Sequence, residues 1–72
     1  MNGYHINVFW SAEDGGWIAD VPDLEFCSAH GPTTVEAVRQ VEIAMAAWLD
    51  AARAAGKAIP APRNRPAIYA AE

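Results

Sequence analysis

The residues that could do chemistry lie mostly between residues 13 and 30. This stretch contains several carboxylates, one cysteine and a histidine. Converging carboxylates hold the metal ions of nucleases, and a Cys–His pair within hydrogen-bond reach makes a thiol nucleophile. Whether either site exists depends on how the elements around them place Glu13, Asp14, Asp20, Asp23, Glu25, Cys27 and His30.

Two runs of alternating residues flank the first carboxylates. In residues 4–10, Tyr4, Ile6, Val8 and Trp10 fall on one face and His5, Asn7 and Phe9 on the other, which places Trp10 at the edge of the core. The alternation resumes in residues 17–21. Alternation with β-favouring residues is typical of strands. The polar loop between the runs ends in Gly15 and Gly16, so the pattern predicts an antiparallel hairpin.

Pro22 has no N–H for a strand ladder and should end the second strand. Residues 25–30 can form a third strand, which Gly31 and Pro32 interrupt. Cys27 and His30 are three apart on that strand, so their side chains point to opposite faces.

The carboxylates occupy a hairpin loop, a strand and a turn, and we do not expect them to converge. The sequence therefore predicts no catalytic, cofactor-binding or metal-binding residue and no enzyme. A metal site assembled from His5, Cys27 and His30 stays open as an alternative.

A helix follows, from about residue 34 to residue 55. Thr33 and Glu36 fit the capping box of a helix start, and Gly56 fits the residue after a helix end. At 100° per residue, one broad apolar face should pack on the sheet; its members are Ala37, Val38, Val41, Ala44, Met45, Trp48, Leu49 and Ala52. Ile43 and Ala47 lie on the other side, where they are predicted to form a contact between subunits.

The helix is followed by a proline-rich connector, and residues 67–72 are a candidate fourth, edge strand. We therefore expect one α+β domain over residues 1–62, with three antiparallel strands and one helix, and a tail or short edge strand over residues 63–72.

Chain length and composition point to an oligomer. A chain of 72 residues buries little core, and one cysteine allows no internal disulfide. A partner copy is the remaining source of burial, so a dimer or tetramer is expected. The sequence has neither an apolar run near 18 residues nor a signal-peptide pattern, so a cytoplasmic location with no membrane contact is expected.

Charge is distributed unevenly along the chain. Residues 1–52 carry eight acids and one base, whereas residues 53–72 carry four bases and one acid. An acidic body repels nucleic acid and attracts basic proteins. We therefore expect a protein partner and no direct binding to nucleic acid.

The order of these motifs resembles the HicB-like antitoxin domain. That family has a hairpin around D-G-G-aromatic-x-A, then V-P-D-L-P-G-C, a T-x-x-E-A helix start, a W-L pair and G-x-x-I-P-x-P. The matching residues here are Asp14, Gly15, Gly16, Trp17, Ala19, Val21, Pro22, Asp23, Leu24, Cys27, Gly31, Thr33, Glu36, Ala37, Trp48, Leu49, Gly56, Ile59, Pro60 and Pro62.

The resemblance implies a β-β-β-α-β domain with a partial ribonuclease-H-like fold. It also implies an antitoxin that binds a small basic HicA-like toxin, an mRNA-cleaving protein, and blocks its active site. Many members add a C-terminal DNA-binding module. No such module is encoded here, so a stand-alone domain is expected.

One departure from the family pattern concerns Glu25 and Phe26, which stand where the family has Pro-Gly. A phenylalanine does not easily adopt a turn that glycine permits, so we expect the third strand to start earlier or to carry a different bulge. Phe26 would also present a new apolar surface.

Together these features predict a domain that holds a HicA-like partner through an acidic and edge-strand surface. The predicted partner-binding residues are Trp10, Glu13, Asp14, Asp23, Glu25 and Phe26. A solitary oligomeric protein and a weak metal-dependent ribonuclease are the alternatives.

Overall fold

The computed structural model describes residues 3–63. Its elements are β1 (Asn7–Ser11), β2 (Gly16–Asp20), β3 (Ser28–Gly31) and α1 (Thr34–Ala54). The strands form one antiparallel sheet in the order β1-β2-β3, which confirms the predicted α+β fold of three strands and one helix. The candidate fourth strand lies outside the described residues.

Strand boundaries differ from the sequence pattern by a few residues. β1 begins at Asn7 rather than at residue 4, although the preceding Tyr4 and Ile6 still pack against the core. β3 begins at Ser28, later than the predicted residue 25. The expectation of an earlier third strand is therefore wrong, because residues 24–27 form a hydrogen-bonded turn directly before the strand.

The core lies between α1 and one face of the sheet. Ala37, Val41, Met45, Leu49 and Ala52 are the buried residues of the helix. The first four of these meet Ala19 of β2 and three buried residues after it, Val21, Leu24 and Cys27. The apolar face predicted from the 100° period is thus the face that packs.

Both ends of α1 are capped by nearby groups. The Thr33 hydroxyl accepts a hydrogen bond from the Glu36 N–H at 3.1 Å. The Glu36 carboxylate accepts from Arg39 instead of completing the capping box. At the other end, Lys57 N–H donates to Ala52 C=O and Gly56 N–H to Arg53 C=O, which is the Schellman arrangement.

Gly31 sets how closely the helix meets the sheet. A Cβ at this position would lie 2.5 Å from the backbone nitrogen of Ala37. Any side chain would therefore push the first turn of α1 away from β3. Gly31 was predicted to interrupt the strand, and it is instead the last strand residue, buried under the helix.

Candidate protein-binding surfaces

The structure separates the six predicted partner-binding residues into two groups. Trp10, Glu13 and Asp14 lie where β1 turns into β2, which we call the hairpin end (residues 10–17). The other three lie between β2 and β3, which we call the loop end (residues 21–27). A five-residue strand is about 16 Å long, so the two groups occupy opposite ends of the sheet.

At the hairpin end, Trp10 is the most prominent side chain. It is 54% exposed, although the alternation placed it at the edge of the core. Its ring meets that of Trp17, its partner across the strands, edge to face with centroids 5.6 Å apart. The pair presents an aromatic surface beside the acidic loop.

The acidic loop is held by a bond within itself. The Ser11 hydroxyl donates to the Asp14 carboxylate at 2.8 Å and accepts from the Asp14 N–H at 3.3 Å. Glu13 is exposed. Gly15 has a φ of 64°, which glycine adopts at little cost.

The outer edge of β1 is open within residues 3–63. β1 pairs with β2 on one side, and no described strand pairs with it on the other. Its Val8, Phe9 and Trp10 side chains are all exposed. Unpaired backbone groups beside exposed apolar side chains form a surface to which another strand can add.

The loop end is a pair of hydrogen-bonded turns. Leu24 N–H donates to Val21 C=O, Cys27 N–H to Leu24 C=O, and Val21 N–H closes the loop on Cys27 C=O at 2.9 Å. Glu25 and Phe26 are the central residues of the second turn. The φ of Phe26 is 61°, and a positive φ at this position is the mark of a type II turn.

Phe26 thus adopts the conformation that a glycine would take. The expectation that phenylalanine would change this turn is wrong, because Leu24 and Cys27 are buried on either side and fix the backbone between them. The cost of a left-handed residue with a Cβ is roughly 1–2 kcal/mol. The Phe26 ring gains no burial in return, since it is 95% exposed.

The loop end is also tied to the helix. The Trp48 indole Nε1–H donates to the Glu25 carbonyl at 2.9 Å. Between the loop and the end of α1 lies a groove of about 420 Å³ lined by Glu25, Phe26, Trp48, Ala51, Ala52, Ala55 and Lys57. From the sequence we expected Trp48 to be a packing residue only, because it lies on the core-facing side of the helix. The Glu25 carbonyl, 23 residues away, becomes its partner only through tertiary folding.

The segment after the helix crosses the same end of the sheet. The Tyr4 hydroxyl donates to the Pro60 carbonyl, and the Arg63 N–H donates to the Asp23 carboxylate at 3.0 Å. Asp23 is therefore engaged within the domain, and it lies apart from Glu13 and Asp14 at the hairpin end.

The candidate nucleophile Cys27 is buried as a free thiol. Burial and, to a smaller extent, the nearby Asp20 carboxylate raise its pKa above the ordinary 9.0. The thiolate that a nucleophile or metal ligand requires is therefore disfavoured at neutral pH. Among residues 3–63, no three His, Cys, Asp or Glu side chains lie close enough together to hold a metal ion.

The two predicted subunit-contact residues lie on the outer side of α1. Ile43 is 60% exposed, and Ala47 is exposed one turn further on. Neither belongs to the core face of the helix.

Comparison with known proteins gave no match to a family model, to a curated protein or to a solved structure. No helix among residues 3–63 combines the length and apolar character needed to cross a membrane.

Proposed function

We propose that this domain is a non-enzymatic protein-binding module of the HicB-like antitoxin type. Its partner would be a small, basic HicA-like mRNA interferase, which it holds with its active site blocked. Support comes from the ordered set of family motifs and from the surface at the hairpin end.

The edge of β1 that no strand among residues 3–63 covers, with Trp10 beside it, is the observation that carries the proposal. Strand addition would pair the backbone groups along that edge, and Trp10 would anchor the partner because large aromatic side chains often dominate binding energy. Asp14 and Glu13 give the adjoining loop a negative charge, which suits a basic partner.

The first test is the protein encoded beside this chain. A basic protein of about 60–80 residues, below ordinary domain size, is expected there. It should cleave RNA when alone and stop when this chain is added. Continued cleavage with this chain in excess contradicts the proposal.

Three variants separate the contributions at the hairpin end. Trp10→Ala should raise the dissociation constant at least about tenfold through faster dissociation. The double variant Glu13→Lys/Asp14→Lys should slow association and flatten its dependence on salt. The double variant Glu42→Lys/Asp50→Lys makes the same change of net charge on the exposed surface of α1 and should leave binding unchanged. Equal effects of the loop and helix substitutions would argue for general charge attraction in place of a specific surface.

The alternative of a solitary oligomeric protein makes no use of a toxin. It predicts self-association of this chain and no effect on any neighbouring RNA-cleaving protein. The ribonuclease alternative predicts Mg²⁺- or Mn²⁺-dependent RNA cleavage that is lost in Asp20→Asn or Asp23→Asn. The described geometry offers it no support, because Asp20 ends a strand and Asp23 already accepts a hydrogen bond from the Arg63 backbone.

A further inference from the structure

Phe26 combines two costs that a folded chain normally avoids. Its backbone is left-handed, and its ring is almost wholly exposed. Glycine would keep the same turn without either cost. Strained residues that persist in a structure cluster at functional sites, which points to a binding role for the ring.

The groove beside Phe26 is of a kind that an aromatic ring can fill. It is lined by Trp48, the buried Ala52 and the small side chains Ala51 and Ala55. At about 420 Å³ the groove has room for an inserted aromatic side chain. One surface therefore carries both a projecting aromatic ring and a recess that fits one.

Charge on the two walls of the groove is also self-complementary. Glu25 stands on the loop wall, and Lys57 stands at the end of the helix wall. In a twofold dimer that sets the loop wall of one copy against the helix wall of the other, each Glu25 would face the Lys57 of the other copy. A like-charged pair of walls would have repelled a second copy.

We propose that Phe26 and this groove form a self-association site in which each of two copies inserts its Phe26 into the groove of the other. The site lies at the loop end, so it leaves the hairpin end free, and it does not depend on the toxin-binding proposal.

The surface beside the groove allows the interface to extend. Residues at three- and four-residue spacing form an uncharged strip along α1 that leads into the groove, namely Gln40, Ala44, Ala47, Ala51 and Ala55. Ile43 borders this strip. Small side chains would let the helix of a second copy approach closely.

The size of this surface sets the expected strength of association. The strip is about 22 Å long and the helix about 10 Å wide. With the groove, it falls short of the roughly 800 Å² per partner of a standard interface. We therefore expect a reversible, concentration-dependent dimer.

Sedimentation of the full 72-residue chain over a range of concentrations is the test. Wild type should pass from monomer to dimer. Phe26→Gly and Ala51→Arg should each raise the dissociation constant at least about tenfold. Ala46→Arg, an exposed alanine on the opposite side of α1, is the matched control and should not change it. A thermal melt of each variant confirms that it folds.

Charge reversal identifies the second copy as the occupant. Glu25→Lys and Lys57→Glu should each weaken self-association. An equimolar mixture of the two single variants should restore the dimer, because both Glu–Lys contacts then become opposite-charge pairs between unlike copies.

Two results would overturn the proposal. One is a wild-type chain that remains a monomer up to about 1 mM. The other is a dimer that survives Phe26→Gly and Ala51→Arg, since it would have to use another surface, such as the open edge of β1.

Discussion

The two ends of the sheet place different residue types in the same left-handed backbone conformation. The residue with φ near 60° is Gly15 at the hairpin end and Phe26 at the loop end. The hairpin end uses the residue that makes this conformation cheap. The loop end uses one that makes it costly, and holds it with buried neighbours and a bond from Trp48. The difference indicates that the loop end is rigid enough to support a strained residue.

The two ends should differ most in the free energy of unfolding that is lost when a side chain is truncated, because Leu24 is buried and Glu13 is exposed. Leu24→Ala empties a site that is 1% exposed and should cost about 2–5 kcal/mol, a large part of the stability of so small a domain. Glu13→Ala at the exposed hairpin loop should change the free energy of unfolding by less than about 0.5 kcal/mol. Urea unfolding followed by circular dichroism measures both. Similar losses would mean that the loop end is not part of the core.

Substituting each of the two left-handed residues should change the stability in opposite directions. Gly15→Ala should destabilise the chain by about 1 kcal/mol. Phe26→Gly should stabilise it by about 0.5–1 kcal/mol, because the relief of strain exceeds the added freedom of glycine in the unfolded chain.

Phe26→Ala is the control for that exchange, since it removes the ring but keeps the Cβ and hence the strain. It should leave stability nearly unchanged. All three are measured at concentrations where the wild type sediments as a monomer, because self-association adds apparent stability. A gain in Phe26→Ala equal to that in Phe26→Gly would place the cost in the exposed ring instead of the backbone.

The hydrogen bonds at the two ends should also contribute different amounts to stability. Trp48→Phe keeps an aromatic ring but removes the donor to the Glu25 carbonyl, and should cost about 0.5–1.5 kcal/mol. Ser11→Ala removes the bonds to Asp14 in an exposed loop and should cost less. Urea midpoints compare the pair. A larger loss for Ser11→Ala would reverse our ranking of the two ends.

The smallest change in stability should come from the titration of Cys27 at the loop end. Its raised pKa means that above pH 9.0 the folded chain holds this proton more firmly than the unfolded chain. The stabilisation is present below pH 9.0 and is lost as the pH rises towards the folded pKa. The slope of stability against pH in this range should flatten in Cys27→Ala. Parallel slopes would show that other groups govern the alkaline loss.

Local sequence patterns were enough to predict most of the fold. The 100° period of α1, Thr33 at its start and Gly56 after its end predicted the helix and its buried face, because these features act within one or two turns. Alternation predicted the hairpin in the same way. The limits of β1 and β3 were less accurate, because strand ends depend on pairing with distant residues.

The candidate surfaces could be predicted only in part. The sequence identified Phe26 as a new apolar surface, but not its left-handed backbone, since its own type argues against that conformation. The signal was the Pro-Gly that HicB-like domains, which the sequence resembles, have at the same two positions, since this is the usual pair for a type II turn. The groove was missed because Trp48 and Glu25 are joined only by tertiary folding.

The tryptophans give the two ends different optical signatures. Trp10 and Trp17 meet edge to face at 5.6 Å, a geometry in which neighbouring indoles couple and produce an exciton band in circular dichroism. Trp48 lies at the loop end, with its indole N–H bonded to a carbonyl. All three indoles fluoresce, so the double variant Trp10→Phe/Trp17→Phe isolates the emission of Trp48. The unlabelled protein can therefore show which end responds when a partner is added, the hairpin end by the ellipticity of the wild type and the loop end by the emission of that variant.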